Sequence, residues 1–393
     1  MIKRRFARAT CLAMVGTFIL ASCGSDDKDT SSSTATTAAS TATTAASTAT
    51  TAASGDSTAT TGASAGEGGT IGVILPDSKS SVRWETADRK YLEAAITDAG
   101  FKADIQNAEG DTQKMATIAD SMIAEGVKVL MIVNLDSDSG ATILKKAKDA
   151  GIKTIDYDRL TLGGGADVYI SFDNVQVGTL QGEGLVKCIT DAGTKNPKIA
   201  VLNGSPTDNN ATLFAQGYDA VLKPLFDDGT YTLVDDQSVP GWDNQKGGQI
   251  FEQMLATAGG SVDGVLAAND GLGGAAIAVL QKNDLQVPVT GQDASVDGLR
   301  NILTGDQCMT VYKAVKTEAD AAAAAAIALA SGEEPETNGT VTDTQLNTEV
   351  PAVLATPVAI YKDNVKEVID DGYQTAADVC KDLTDECTAA GIS

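Results

Sequence analysis

Histidine is absent from all 393 residues. That gap removes Ser-His-Asp triads, histidine general bases and histidine metal sites together. Basic residues are scarce as well: 29 Lys and Arg stand against 53 Asp and Glu, a formal net charge of −24. A nucleic-acid partner needs a basic footprint to neutralise phosphates, so that class of partner is excluded. The acidic surplus favours a well-solvated protein outside the cytoplasm. No CxxC spacing supports a zinc site, and no loop groups carboxylates tightly enough for a hard cation. No GKS/T loop is present to cradle a phosphate, and Gly163–Gly165 lacks the Lys-Ser that would make it one. No cofactor and no metal is therefore expected. Aromatic residues make up only 4 %, with two tryptophans, Trp84 and Trp242.

The first stretch has a recognisable layout. Lys3, Arg4, Arg5 and Arg8 precede an apolar run over Ala9–Leu20, which is too short for a membrane span and ends in Leu20-Ala21-Ser22-Cys23. Basic start, apolar middle and small residues form a secretory signal, residues 1–22. The LASC sequence resembles the lipobox of bacterial lipoproteins, which implies that Cys23 is lipidated and anchors the chain to a membrane. Residues 23–69 are dominated by Ser, Thr, Ala and Gly, with near-repeats of STATTAAS. Such a stretch buries too little apolar surface to order itself and reads as a disordered tether. Without residues 1–22 the chain keeps 25 basic and 53 acidic residues, a charge of −28. Cys188, Cys308, Cys380 and Cys387 then remain, compatible with two disulfides in any of three pairings.

From Thr70 the pattern becomes regular. Short apolar runs (71–75, 102–106, 128–133, 153–156, 168–172, 198–202, 231–235, 264–267, 287–291, 308–312) alternate with helical stretches at 85–99, 113–125, 140–150, 175–189, 210–226, 244–257, 272–282, 296–303 and 314–330. Alternation of this kind predicts right-handed βαβ units, parallel sheets and an α/β fold. Residues 333–356 look polar and aperiodic, and 361–371 helical. The folded part is longer than one core usually holds, so two α/β domains are expected.

Ligands of open α/β sheets gather beyond the carboxyl ends of the strands. The residues there are unusually uniform in chemistry: Arg83-Trp84 after the first strand, Asn134, then Asp158-Arg159, Asp208-Asn209-Asn210, Trp242-Asp243, Asn269-Asp270, Gln292-Asp293, and Lys313. Carboxylates accept hydrogen bonds, amides do both, Arg and Lys donate, and a tryptophan face packs on the C–H face of a sugar ring. The set suits a neutral, polyhydroxylated ligand. The same residues also suit humbler tasks: Asp208 and Asn269 stand where helix caps would, Trp242 fits a core, and Arg83 and Lys313 fit surface ion pairs.

Seven stretches, IGVILPDSKSSVRWETADR, IDYDRL, YISFDNVQVG, NGSPTDNNATLFAQG, AANDGLGGAAIAVL, GQDAS and MTVYK, are similar to the periplasmic sugar-binding proteins of ABC importers, and most like the D-xylose-binding members. The resemblance covers nearly all of residues 70–375. It implies the type I periplasmic binding protein fold: two Rossmann-like lobes with parallel sheets joined by a three-crossing hinge. The lobes would be 70–171 plus 314–352 and 172–313 plus 353–393, with 169–174 as the first hinge. The resemblance places ligand contacts at Arg83, Asp158, Arg159, Asp208, Asn210, Trp242, Asn269, Asp293 and Lys313, with Trp84 as a second aromatic wall. The Ser-rich stretch before Arg83 departs from the family pattern, and so do the cysteines and the long tether.

The function implied is capture of a monosaccharide, D-xylose first, by a monomeric, lipid-anchored extracytoplasmic protein that delivers it to an ABC permease. Hinge closure would do the capturing. Two other classes compete. One is a sugar-sensing receptor of the same fold for another pentose, glucose or a furanosyl signal. The other is a glycosidase using two of Asp158, Asp208 and Asp293, although cations and amides beside these carboxylates would keep them ionised.

Overall fold

The computed structural model describes residues 68–392. The signal, Cys23 and almost all of the tether lie outside the described residues. The first strands run in chain order as β1 (Thr70–Leu75), β2 (Lys102–Asn107), β3 (Val129–Ile132), β4 (Lys153–Tyr157) and β5 (Val168–Phe172). Next come β6 (Lys198–Asn203), β7 (Thr232–Ser238), β8 (Gly264–Ala267), β9 (Thr310–Tyr312), β10 (Gly339–Asp343), β11 (Thr348–Ala355) and β12 (Val358–Ile360). The main helices are α1 (Arg89–Asp98), α2 (Thr112–Glu125), α3 (Ser137–Asp149), α4 (Asn174–Asp191), α5 (Asn209–Asp227), α6 (Asn244–Thr257), α7 (Asp270–Lys282), α8 (Val296–Thr304) and α9 (Val315–Ser331). A five-residue π-helical turn, Trp84–Asp88, leads into α1.

Two sheets result. The first has the order β10-β11-β5-β4-β3-β1-β2 and is parallel except for β10. The second joins β7, β6 and β8 in parallel, and isolated bridges at Val289 and Gln292 extend it to β9, which pairs antiparallel with β12. The chain leaves the first sheet after Phe172, returns after Tyr312 and leaves again after Ala355, so three segments cross between the lobes.

Parallel strands are covered on both faces and therefore need to be apolar throughout. All four residues of β3 and all five of β5 are buried. On one face of the first sheet α9 packs through Ala319, Ala322, Ala323 and Ala326 beside Leu92 and Ile96 of α1. On the other face Met115, Ala119 and Met122 of α2 meet Ile143 and Leu144 of α3. The second sheet has its own core, built on Val201, Leu202, Phe214, Phe251, Val265 and Leu266. A separate cluster of Leu299, Ile302, Val368, Val379 and Cys387 seats the C-terminal segment. Cys188 pairs with Cys308, joining α4 to the segment before β9, and Cys380 pairs with Cys387.

The structure corrects three local expectations. Residues 333–356 form β10 and β11 rather than an irregular stretch. Pro351, a poor strand residue, is tolerated because its own pairing is with Thr340 of the edge strand β10, while pairing with β5 begins at Ala352. Residues 287–291 make one isolated bridge, at Val289, and no strand. In 361–371 only Lys366–Asp370 is α-helical.

Candidate functional site

Arg83 and Trp84 follow β1, Asp158 and Arg159 follow β4, and Asp208 and Asn210 open α5 beyond β6. Trp242 follows β7, Asn269 caps α7 beyond β8, Asp293 follows the Val289–Gln292 bridges, and Lys313 follows β9. All ten line one cavity between the two sheets. None of the ten is more than 8 % exposed. Ser80, Ser81, Phe214 and Gln292 complete the lining. Gln292 stood in the strand-end series but not among the candidate contacts; the other three carry no signal in local sequence.

The cleft is closed by contacts between lobes. Asn210 Nδ2 donates to the Asp158 carbonyl at 2.9 Å and to its carboxylate at 3.1 Å. Arg159 Nε lies 2.9 Å from Asp208 Oδ2, as an ion pair without the alignment of a hydrogen bond. Lys313 Nζ stands 3.7 Å from Asp158 and 3.4 Å from Asp293. Asn269 Nδ2 reaches the Ser80 carbonyl at 3.4 Å.

Beneath the cavity lies a cluster of charges that the sequence did not disclose. Arg83 bonds Asp88, Asp158 and Glu318, at 2.7, 3.1 and 2.6 Å. Burial alone would lower its pKa, but the three carboxylates outweigh that and raise it. For Asp158 burial pushes upward, yet Lys313, Arg83 and Arg159 together hold it below the ordinary carboxylate value. Glu318 goes the other way: burial, with Asp158 and Asp88 nearby, lifts its carboxyl well above the usual range despite Arg83. Asp270, under the second lobe's wall, is raised to about 7, mainly by burial and then by Asp293. It accepts from Ser295, Gln307 and Thr310, and so holds the turn after Asp293.

Backbone conformation aims three of these side chains. Asp158, Trp242 and Asp293 have φ of 61°, 54° and 98°, a region that non-glycine residues rarely occupy. Such strain concentrates at binding sites when the surroundings over-determine it. The Asp158 carbonyl accepts from Tyr169, Ser171 and Asn210, which fixes the turn. Trp242 donates to Asp208 at 3.0 Å and meets Phe214 edge-on. Its ring lies over Gly204, where a Cβ would come within 2.1 Å of it. Trp84 carries the Arg83 and Arg159 guanidinium groups over its ring, 4.5 and 5.6 Å from the centroid. Asp208 and Asn269 cap their helices with one oxygen each and still line the cavity, so the capping and cavity readings describe the same residues.

Chemically, this is a set of pre-paired ions and amides around a small space. Each cation already faces a carboxylate, so a guest meets fixed donors and acceptors rather than a free charge. The two sheets, three crossings and interlobe cavity define a cleft-binding architecture. Comparison with known proteins gives the same class. Residues 71–334 match the model of the periplasmic binding protein domain. The chain is 36 % identical to the D-xylose-binding periplasmic protein of Escherichia coli over 315 residues, 79 % of this chain and 92 % of that one. It is 32 % identical to the multiple sugar-binding periplasmic receptor ChvE of Rhizobium radiobacter, over 81 % and 94 % of the two chains. Among solved structures, an ABC transporter solute-binding protein of Clostridium phytofermentans with bound β-D-glucose superposes with a TM-score of 0.73 at 31 % identity, covering 79 % of this chain and 99 % of that one. The chain belongs to the periplasmic binding protein family and has its type I fold.

Proposed function

We propose that this protein captures a monosaccharide, D-xylose first, in the interlobe cavity and delivers it to an ABC permease from a lipid anchor at Cys23. The observation that carries the reading is the cavity itself: ten side chains from both lobes, each acceptor beside a donor, converge on one space. The ligand contacts are Arg83, Trp84, Asp158, Arg159, Asp208, Asn210, Trp242, Asn269, Asp293 and Lys313. The lobes divide at the three crossings and close on the sugar as a monomer. Similarity to the D-xylose-binding protein of Escherichia coli supports xylose as the ligand. A second reading, glucose or several sugars, is favoured by the glucose-bound relative and by the multiple sugar-binding receptor. The Asp158 carboxylate, held below the ordinary carboxylate value by Lys313, Arg83 and Arg159, does not suit the acid of a glycosidase.

The test is calorimetric titration of residues 67–393 with xylose, arabinose, ribose, glucose and galactose. Xylose is expected to bind most tightly, with loss of binding in Asp158→Ala and Asp293→Ala. A tighter glucose complex moves the ligand and keeps the cavity. A folded protein that binds none of the five refutes the monosaccharide reading.

A further inference from the structure

Arg83 has five N–H groups, and the protein itself takes four of them. Nε donates to Asp88 at 2.9 Å, Nη2 donates to Asp88 at 2.7 Å and to Glu318 at 2.6 Å, and Nη1 donates to Asp158 at 3.1 Å. One N–H, on Nη1, is left for a guest. Of the three carboxylates only Asp158 lines the cavity; Asp88 and Glu318 stand behind it, both buried.

The reach of Asp88 depends on the π turn. On an α-helix, residues five apart are rotated by about 140° and face different ways. In Trp84–Asp88 the turn widens: Arg89 N–H bonds the Trp84 carbonyl five residues back, while Thr86 N–H bonds Val82 four back, and residues five apart come closer to line. Asp88 therefore comes under Arg83, where Tyr157 also donates to it at 2.6 Å. Glu318 comes from the opposite direction in sequence. It sits in the first turn of α9, just past the second crossing and five residues after Lys313. Its Oε2 accepts from Arg83, while Oε1 is buried with no partner among the described residues.

The geometry points to Asp88 and Glu318 as positioning residues that clamp Arg83, so that a single N–H in a fixed direction is offered to the ligand. The clamp rests on the sugar-capture reading for its purpose and refines it: Arg83 contributes one directed hydrogen bond and no free charge. Glu318 acts as a hydrogen-bond acceptor, and its raised pKa agrees with that role. The glutamine amide oxygen can replace it, and alanine cannot. Through Glu318, the side chain that meets the ligand is tied to a segment that crosses between the lobes.

Two measurements test the clamp, and the first needs no sugar. In nitrogen-15 spectra of the ligand-free protein, the Arg83 Nη hydrogens are expected as separate, slowly exchanging signals. Asp88→Asn and Glu318→Ala are expected to merge them, and Glu318→Gln to preserve them. A freely rotating Arg83 in the wild type overturns the clamp whichever sugar binds. The second measurement is the affinity of the same four proteins for the tightest sugar found by titration. At least a tenfold loss is expected for Asp88→Asn and Glu318→Ala, and less than threefold for Glu318→Gln. Equal losses for Glu318→Gln and Glu318→Ala, or unchanged affinity in a folded Asp88→Asn, overturn it. If Asp88→Asn does not fold, the Glu318 pair decides. Failure of every sugar to bind strikes the monosaccharide reading, while the spectra still judge the clamp.

Discussion

On the wall that the first lobe gives to the cavity, side chains hold side chains: Asp88, Asp158 and Glu318 grip Arg83, and Arg83 lies over Trp84. On the wall given by the second lobe, backbone holds side chains. Asp208 and Asn269 are fixed by capping α5 and α7, and Trp242 and Asp293 by left-handed turns. The first arrangement is a buried network in which every member depends on distant partners. The second is a set of local devices, coupled to one another chiefly where Trp242 donates to Asp208. Loss of one member should therefore spread on the first wall and stay local on the second.

Breaking the first wall gives the largest effect. Arg83→Met leaves Asp88, Asp158 and Glu318 buried without their common cation, and removal of one partner of a buried ion pair costs about 3–5 kcal/mol. Urea unfolding should show a loss of that size, with sugar affinity down at least a hundredfold. A loss under 1 kcal/mol would mean that the carboxylates simply take up protons.

The second wall should respond more weakly and separably. Asn269→Ala removes the cap on Leu272 N–H and should cost about 1 kcal/mol. Asn269→Asp keeps the capping oxygen but loses the amide donor, so stability should return while affinity stays at least fivefold low. Parallel recovery of both would mean that Asn269 contributes only as a cap.

The smallest effect is on pH dependence, to which Glu318 and one further carboxyl in each lobe contribute. Asp156, in β4, and Asp270 are both raised to about 7, chiefly by burial. A carboxyl raised on folding binds more protons in the native state than in the unfolded one. Its contribution is fully present below the ordinary carboxylate value and is lost as pH rises through about 7. The unfolding midpoint should thus be a few degrees higher at pH 5.5 than at pH 8.5. Asp156→Asn and Asp270→Asn should each reduce that difference, and a higher midpoint at pH 8.5 would contradict both assignments.

This contrast also explains what could be read beforehand. The alternation of strands and helices is periodic, and strand ends follow from it, so the gathering of Asp158, Asp208, Asn269 and Lys313 was legible. Caps are local too: Asp208 and Asn269 each precede a helix in plain view. Glu318 lies 235 residues from Arg83 and resembles any acid on an Ala-rich helix. Asp88 is near in sequence, but five residues apart means proximity only in a π turn, and nothing in WETAD announces one. The strands β10 and β11 were hidden because their residues are largely exposed and include a proline. The segment at 287–291 fits a strand pattern, yet it makes only the bridge at Val289.

The position of β11 has a consequence for biosynthesis. It lies directly beside β5, yet 175 residues (173–347) separate the two in the chain. At about 5–20 residues per second, a ribosome takes roughly 10–35 s to cover that distance. Throughout that interval Val168–Phe172 has β4 on one side and an open row of N–H and C=O groups on the other. An apolar strand with a bare edge is a template for wrong pairing. The lobe whose first strands are made earliest is thus completed only when β11 arrives, and until Ala352–Ala355 takes its place that edge stays open to any segment able to pair with it.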